Sequence, residues 1–262
     1  MSSNNWNNTA LYNEFMGKWS KLVAQQFISW LGTDHTIFRK SWIDIGCGTG
    51  ALTFEIVKLT NPIRVIGIDP SLNYLPKIKH LPNVSFEVGS STQIPAMTES
   101  FDFVVSGLAL NFMSDIDASL KEMLRVLKSN GILALYVWDY SEQMEFLRIF
   151  WDTAMEIKSE AKFLDEGGIF PICKKSALLK LFTNNHLKAI DIKEIIIETN
   201  FINFDSYWNP FLGGQGPAGS FLLSLNESEK NLLRRKLISK ISKANDEPIK
   251  LKARSFAIQG IK

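Results

Sequence analysis

Residues 42–50 read Trp-Ile-Asp-Ile-Gly-Cys-Gly-Thr-Gly, and this stretch decides the fold of the chain. Residues 42–45 predict a short buried strand, and the residues that follow the last glycine predict a helix over 51–59. Three glycines at alternate positions allow a tight turn and let a ligand approach the backbone closely. A strand, turn and helix of this kind meet at the carboxyl edge of a parallel sheet, where open α/β folds bind ligands.

An acidic residue closes the second predicted strand, which covers residues 64–69 and ends at Asp69. A carboxylate there can accept hydrogen bonds from both ribose hydroxyls of an adenosine, each contributing roughly 1.5–3 kcal/mol. The helix after the glycines offers free N–H groups and a partial positive charge to an anion such as a methionine carboxylate. Asp44, two residues before the first glycine, can attract the cationic end of the same ligand. Together these features predict a site for S-adenosylmethionine (SAM).

Two other interpretations of the glycine loop remain open. The spacing Gly46-x-Gly48-x-x-Ala51 also matches a nicotinamide dinucleotide fingerprint. Asp44 and the third glycine, Gly50, favour SAM over a nicotinamide cofactor. A strand-to-helix turn that binds no ligand explains the same glycines.

Strands and helices alternate through the rest of the chain, which predicts a parallel sheet covered on both faces. The helix after Ser71 is expected to reach Lys79, and the helix around Leu120 is expected to end at Asn130-Gly131. The remaining predicted elements are amphipathic helices within 10–31, strands at 84–88, 101–106 and 132–138, helices near 142–157 and 176–184, a strand near 187–199, a Gly/Pro loop over 212–219, a helix near 227–243 and a last strand near 251–258.

Composition sets limits on the function. The 262 residues are 45% apolar and 21% charged, as in ordinary globular proteins. A net charge of +2 gives no electrostatic case for nucleic acid or an anionic membrane, and no apolar run is long enough for a membrane span. The polar N-terminus lacks a signal-peptide pattern and two cysteines give no disulfide framework, so the cytoplasm is the expected location. No cluster has metal-ligand spacing, so no metal is expected; the oligomeric state is left open.

At these motifs the chain resembles the class I SAM-dependent methyltransferases, in particular the methyltransferase type 11 group. Residues 42–50 are similar to the first motif of that family, and residues 65–71 are similar to its second. Residues 101–106 and 122–131 are similar to later landmarks, so the resemblance covers the segment from 40 to 138. It implies a Rossmann-like α/β fold with a seven-stranded sheet, helices on both faces and an antiparallel last strand.

The resemblance also implies a domain organisation. An N-terminal helical cap is expected over residues 1–40 and a methyltransferase domain over 41–262. Within that domain the cofactor-binding core covers 41–140, and a helical insertion near 200–250 precedes the last strand.

One stretch departs from the family pattern. The family often has Gly-Asp-Ala after the third strand, with the Asp accepting the adenine amino group, whereas this chain has Gly89-Ser90-Ser91. A serine hydroxyl can accept one hydrogen bond but brings no charge. Tyr74 is an alternative contact for the adenine ring, and simple packing explains Tyr74 equally well.

The predicted site residues fall into three groups. Those expected to bind the cofactor are Asp44, Gly46, Cys47, Gly48, Gly50, Asp69, Pro70, Tyr74, Ser90, Ser91, Ser106 and Trp19. Those expected to contact the methyl acceptor are Tyr12, Asn111, Trp138, Tyr140 and Trp208. Asp139 follows the fifth strand and is the candidate general base, with a helix-capping acid as the alternative. The segment 212–219 is either a lid or a plain connection.

These residues predict transfer of a methyl group from SAM to an oxygen, nitrogen or carbon nucleophile of a small, partly apolar molecule, leaving S-adenosylhomocysteine. Because the donor is already activated, positioning can supply roughly 7–11 kcal/mol of the barrier. The alternatives are a nicotinamide-dependent oxidoreductase and a SAM-binding module without catalysis.

Overall fold

The computed structural model describes residues 17–32, 34–76, 81–241 and 248–262. Its seven strands are β1 (Ser41–Ile45), β2 (Arg64–Asp69), β3 (Val84–Val88), β4 (Phe101–Gly107), β5 (Leu127–Trp138), β6 (Lys188–Phe201) and β7 (Ile249–Ile261). Its α-helices are α1 (Lys18–Leu31), α2 (Asp34–Ile37), α3 (Ala51–Thr60), α4 (Ile116–Val126), α5 (Glu145–Met155), α6 (Glu166–Ile169), α7 (Lys175–Asn184), α8 (Phe204–Leu212), α9 (Gly216–Ser224) and α10 (Glu227–Ile241).

The strands form one sheet in the order β3-β2-β1-β4-β5-β7-β6. The first five strands of the chain pair in parallel, for example Ile43 with Ile66 and with Val104. β7 runs antiparallel to β5, because the N–H of Lys262 bonds to Gly131 while the Ser255 hydroxyl bonds to the Val137 carbonyl. The predicted seven-stranded sheet with an antiparallel last strand is therefore confirmed.

The order of the strands places the glycine loop at the centre of the parallel part. β1 is buried along its whole length, as its apolar residues require, and it lies between β2 and β4. α3 packs against β2 and α4 packs against β4. The carboxyl ends of β1, β2 and β4 therefore meet at one edge of the sheet.

Three predicted elements differ from the observed ones. The helix expected to end at Asn130-Gly131 ends at Val126, because Leu127 is extended, buried and paired with Phe101. After Ser71 residues 72–74 form a turn, and residues 77–80 lie outside the described part of the chain. The loop expected over 212–219 is shorter, because Pro217 at the start of α9 favours helix from Gly216 onward.

Contacts divide the chain into two compact units. The sheet unit comprises Ser20–Val137, Lys174–Ile195 and Ser255–Lys262. The aromatic unit comprises Trp138–Cys173 and Ile196–Arg254 together with the described residues 17–19. The boundary expected at residue 40 stays a prediction.

Stacked rings form the interior of the aromatic unit. Phe150 on α5 stacks on Phe211 of α8 with ring centroids 4.5 Å apart, and the Tyr207 hydroxyl donates to the carbonyl of Phe146. Among the described helices none is long and apolar enough to cross a membrane.

Candidate functional site

The glycine loop joins β1 to α3 and is anchored on the end of β2. The backbone N–H groups of Gly46 and Cys47 both donate to the carbonyl oxygen of Ile68, at 2.8 and 2.9 Å. Gly46, Gly48 and Gly50 have φ angles of 73°, 52° and 84°, in the left-handed region that glycine adopts without strain. The tight turn expected from the sequence is present at the carboxyl edge of the sheet.

Two of these glycines have different surroundings. A Cβ built on Gly46 would lie 2.6 Å from the Cβ of Ala109, so no side chain fits there. A Cβ built on Gly48 meets no described atom within 4 Å. No protein atom therefore covers the backbone of Gly48 in this direction, and a ligand could lie against it.

Asp69 ends β2 beside the loop, and each of its carboxylate oxygens accepts one backbone N–H. The donors are Gly48, at 3.0 Å from Oδ2, and Ser71, at 2.9 Å from Oδ1. Burial raises the pKa of Asp69, and these two N–H groups oppose the rise. Each oxygen can accept a further hydrogen bond, so the carboxylate can still receive two ribose hydroxyls.

Asp44 lies in β1 and is fully buried. The Thr53 hydroxyl of α3 donates to its Oδ2 at 2.7 Å, while Oδ1 has no hydrogen-bond partner in the described structure. Burial raises the pKa of Asp44 to about 7; the Thr53 bond lowers it and the charge of Asp69 raises it. A buried carboxylate oxygen without a donor fits a cationic ligand group, which would supply the missing hydrogen bond.

Thr53 is a site residue that the sequence reasoning did not identify. The available signal was a hydroxyl residue three positions after Gly50, on the first turn of the helix that follows the buried acid. Cys47 is buried, and burial raises the pKa of its thiol far above the ordinary value, so it is a packed neutral group and not a nucleophile.

The end of β3 lies beside Asp69, because the N–H of Gly89 donates to the Asp69 carbonyl at 3.1 Å. Ser90 is exposed and its hydroxyl shares a hydrogen bond with Thr92, whereas the Ser91 hydroxyl pairs with Ser119 at 2.8 Å. Of the two predicted adenine contacts, Ser90 is thus the more accessible. Pro70 is exposed and Tyr74 is half-buried in the turn after β2.

The end of β4 completes the described edge. Ser106 is buried and its hydroxyl donates to the Ile45 carbonyl at 2.7 Å, so this group joins β4 to β1. Asn111 follows β4 in a single 3-10 turn, Leu110–Phe112. Cofactor contact by Ser106 and acceptor contact by Asn111 stay predictions.

The other predicted contacts lie in the aromatic unit. Trp19 packs against Phe146 and Phe201, with ring centroids 4.9 and 5.4 Å away. Trp138, Tyr140 and Trp208 are buried. Tyr12 lies outside the described residues. The structure therefore brings the predicted cofactor residues of the sheet unit together, and it places these aromatic residues in the other unit.

Asp139 has the contacts of a structural acid. Its side chain is buried and accepts hydrogen bonds from Arg254, the Ser141 hydroxyl and the backbone of residues 142 and 143. Both carboxylate oxygens are engaged by these donors, and one of them forms an ion pair with Arg254. Asp139 therefore joins the segment after β5 to Arg254, but it is buried and does not cap α5, whose N-cap residue is Met144.

Comparisons with known proteins agree with this geometry. Residues 43–135 match the family model described as a methyltransferase domain. An uncharacterized methyltransferase of Schizosaccharomyces pombe is 37% identical over 116 residues, which cover 44% of this chain and 45% of that protein. The trans-aconitate 2-methyltransferase of Deinococcus radiodurans is 30% identical over 57% of this chain and 58% of that protein. The chain thus spans about half the length of these relatives.

Solved structures share the fold at low sequence identity. The YcgJ protein of Bacillus subtilis has a TM-score of 0.58 at 18% identity, covering 94% of this chain and 98% of that one. A phosphoethanolamine N-methyltransferase of Haemonchus contortus in complex with S-adenosylhomocysteine has a TM-score of 0.57 at 15% identity, covering 97% of this chain and 57% of that one. Residues 43–135 are therefore a methyltransferase domain by their match to the family model, and the sheet order and these solved structures show that the chain has the fold of class I SAM-dependent methyltransferases.

Proposed function

We propose that the chain is a SAM-dependent methyltransferase that acts on a small, partly apolar molecule with an oxygen, nitrogen or carbon nucleophile. The observation that carries the proposal is the arrangement of Asp69 and Gly48. The acid ends β2 with spare hydrogen-bond capacity, and the glycine beside it leaves the backbone open to a ligand.

Different residues of the sheet unit would bind different parts of SAM. Asp69 would accept the ribose hydroxyls, and the N-terminus of α3 would face the methionine carboxylate. Asp44 would accept a hydrogen bond from the ammonium group at its unpartnered Oδ1. When bound, SAM supplies an activated methyl group, so the protein chiefly holds the acceptor in line, and positioning alone can supply roughly 7–11 kcal/mol.

The names of the relatives suggest which methyl acceptors to test first. The related proteins are named for trans-aconitate, a carboxylate, and for demethylmenaquinone, a quinone. Both are small molecules in which oxygen atoms are bonded to the carbon skeleton. A screen with this chain should therefore begin with unsaturated carboxylates and demethylated naphthoquinols.

Calorimetry tests the cofactor. The wild-type chain is titrated with SAM, S-adenosylhomocysteine and NAD, and the first two are expected to bind. Asp69→Asn keeps the shape but loses the charge, so S-adenosylhomocysteine affinity is expected to fall about 10–100-fold. Asp117→Asn, an exposed acid on α4, is the matched control and is expected to leave the affinity unchanged.

Two outcomes contradict the proposal. Tight binding of NAD without SAM would favour the oxidoreductase alternative. An unchanged dissociation constant in Asp69→Asn would place the nucleoside elsewhere. Methylated product from any compound of the screen excludes a binding module without catalysis.

A further inference from the structure

The turn after β4 contains a buried hydrogen-bond donor with no acceptor. Nδ2 of Asn111 is buried, and no described atom accepts its hydrogen bonds. An amide nitrogen that is removed from water and left without an acceptor destabilises the folded protein. Sites that bind ligands are where proteins retain such a cost, because the ligand supplies the missing partner.

The backbone around Asn111 is held in place on both sides. Leu108 has a φ angle of 58°, which is strained for leucine, and its N–H donates to the Tyr136 carbonyl of β5 at 2.8 Å. The N–H of Phe112 donates to the Ala109 carbonyl at 3.0 Å. The sheet therefore holds Leu108, and a backbone hydrogen bond within the turn closes the segment that carries Asn111.

The same turn touches the glycine loop. Ala109 fills the space where Gly46 would carry a Cβ, at 2.6 Å. Asn111 follows Ala109 by two residues, in the 3-10 turn Leu110–Phe112. In the proposed function, the charged ends of the cofactor would have charged or dipolar partners in Asp44 and α3, whereas Asn111 is neutral.

We propose that Asn111 determines acceptor specificity by donating a hydrogen bond to an oxygen of the methyl acceptor, which is therefore a carboxylate, a carbonyl compound or its enolate. The inference rests on the proposed methyltransferase function and narrows the acceptor class. A site that holds a donor for an oxygen discriminates against analogues that lack it, since the donor then stays unsatisfied. Simple amines are accordingly poor acceptors.

A side-chain NMR titration tests the donor directly. The full chain, labelled with ¹⁵N and saturated with S-adenosylhomocysteine, is titrated with sodium acetate and separately with methylammonium chloride. The side-chain amide signal of Asn111, identified by its loss in Asn111→Leu, is expected to shift in a saturable way with acetate alone. A signal that does not move with acetate, or that moves equally with both salts, overturns the proposal.

Variants separate an acceptor contact from other roles. Asn111→Asp replaces the donor by a negative charge of the same shape, so acetate affinity is expected to fall at least about tenfold. S-adenosylhomocysteine affinity should stay within about twofold of the wild type. The matched control is Asn231→Asp on α10, where the side chain is exposed, and it should change neither affinity.

Other results have distinct meanings. If Asn111→Asp loses S-adenosylhomocysteine affinity, the donor serves the cofactor and the acceptor assignment is wrong. If Asn111→Leu lowers the thermal midpoint of the ligand-free protein and leaves acetate binding intact, the amide is structural and the proposal fails. Failure of the wild type to bind S-adenosylhomocysteine is seen before acetate is added, and it rejects the methyltransferase function itself.

Discussion

The N–H of Gly48 donates to Oδ2 of Asp69 at 3.0 Å, so the glycine loop and the end of β2 are joined through the group expected to bind the ribose. The bond orients the carboxylate before any ligand arrives. It also places the open backbone of Gly48 next to the charge. Binding therefore needs little rearrangement of this edge, which favours affinity because less order has to be created.

Alanine at two glycines of the loop is expected to act differently. Gly46→Ala forces a Cβ against Ala109 at a positive φ, and it should lower the free energy of unfolding by about 2–4 kcal/mol. Gly48→Ala should lower the free energy of unfolding by only about 1 kcal/mol, the cost of the positive φ angle. Its methyl group would, however, occupy space in the proposed cofactor site. Denaturant unfolding and calorimetry with S-adenosylhomocysteine measure the two effects.

For these glycines the informative comparison is between the loss of stability and the loss of S-adenosylhomocysteine affinity in each variant. Gly48→Ala should weaken S-adenosylhomocysteine binding at least about tenfold while remaining the more stable variant. Ala109→Gly is expected to recover part of the stability lost in Gly46→Ala, since it removes the opposing methyl group. Equal losses of stability at Gly46 and Gly48 would contradict the packing described here.

Cofactor affinity is expected to rise with pH because Asp44 must be ionised to attract an ammonium group. Its pKa is raised to about 7, so S-adenosylhomocysteine should bind about tenfold more tightly at about pH 7.5 than at about pH 6. Asp44→Asn should bind weakly with a flat profile over this range. Calorimetry at constant ionic strength makes the comparison.

The stability of the ligand-free protein should show the opposite trend. The folded state holds a proton on Asp44 more tightly than the unfolded state, whose pKa is near 3.8, so stability falls as pH rises from about 4 to about 7. Burial raises the pKa of Glu166 to about 7 as well, so this acid contributes the same trend. Asp44→Asn and Glu166→Gln should each remove part of the slope in urea unfolding, and a slope unchanged in both variants would contradict the assignment.

Replacing Asp139 is expected to harm stability and to leave chemistry intact. Its ion pair with Arg254 is buried, and breaking such a pair by removing one charge costs about 3–5 kcal/mol. Asp139→Asn should therefore lower the thermal midpoint, while kcat per folded molecule on an identified acceptor stays near the wild-type value. A normal midpoint with a large loss of kcat would restore the general-base interpretation.

Restoring the family acid after β3 is expected to strengthen adenine binding. Ser90 is exposed beside the end of β2, and Ser90→Asp would offer a charged acceptor to the adenine amino group. The gain should be about 3–10-fold in S-adenosylhomocysteine affinity. The inosine analogue has a carbonyl in place of that amino group, so the variant should bind it no better, and an equal gain for both ligands would contradict the contact.

The sequence predicted the parallel half of the fold well because its signals are local. Glycines with an acid on each flanking strand specify the turn, and short apolar strands specify burial. The end of the helix before β5 was misplaced, because the pairing of Leu127 with Phe101 overrides the turn signal of Asn130-Gly131. Long-range pairing of this kind leaves no mark within a short window of residues.

The site residues were likewise predictable where their signals are local and unpredictable where they depend on long-range contacts. Asp44, Asp69 and the glycines lie together at the sheet edge, as their positions in the sequence suggested. Thr53 and Ala109 were missed, because their roles depend on contacts between elements. The environment of Asp139 was also unpredictable, since its partner Arg254 lies 115 residues away.

The position of β7 also constrains how the chain can fold during synthesis. This strand ends at Ile261 but lies between β5 and β6, which are made much earlier. Until the residues of β7 have left the ribosome, β5 and β6 each present an open strand edge with unpaired N–H and carbonyl groups. The nascent sheet is therefore exposed to mispairing until β7 has emerged from the ribosome, and a chaperone that shields strand edges would help its maturation.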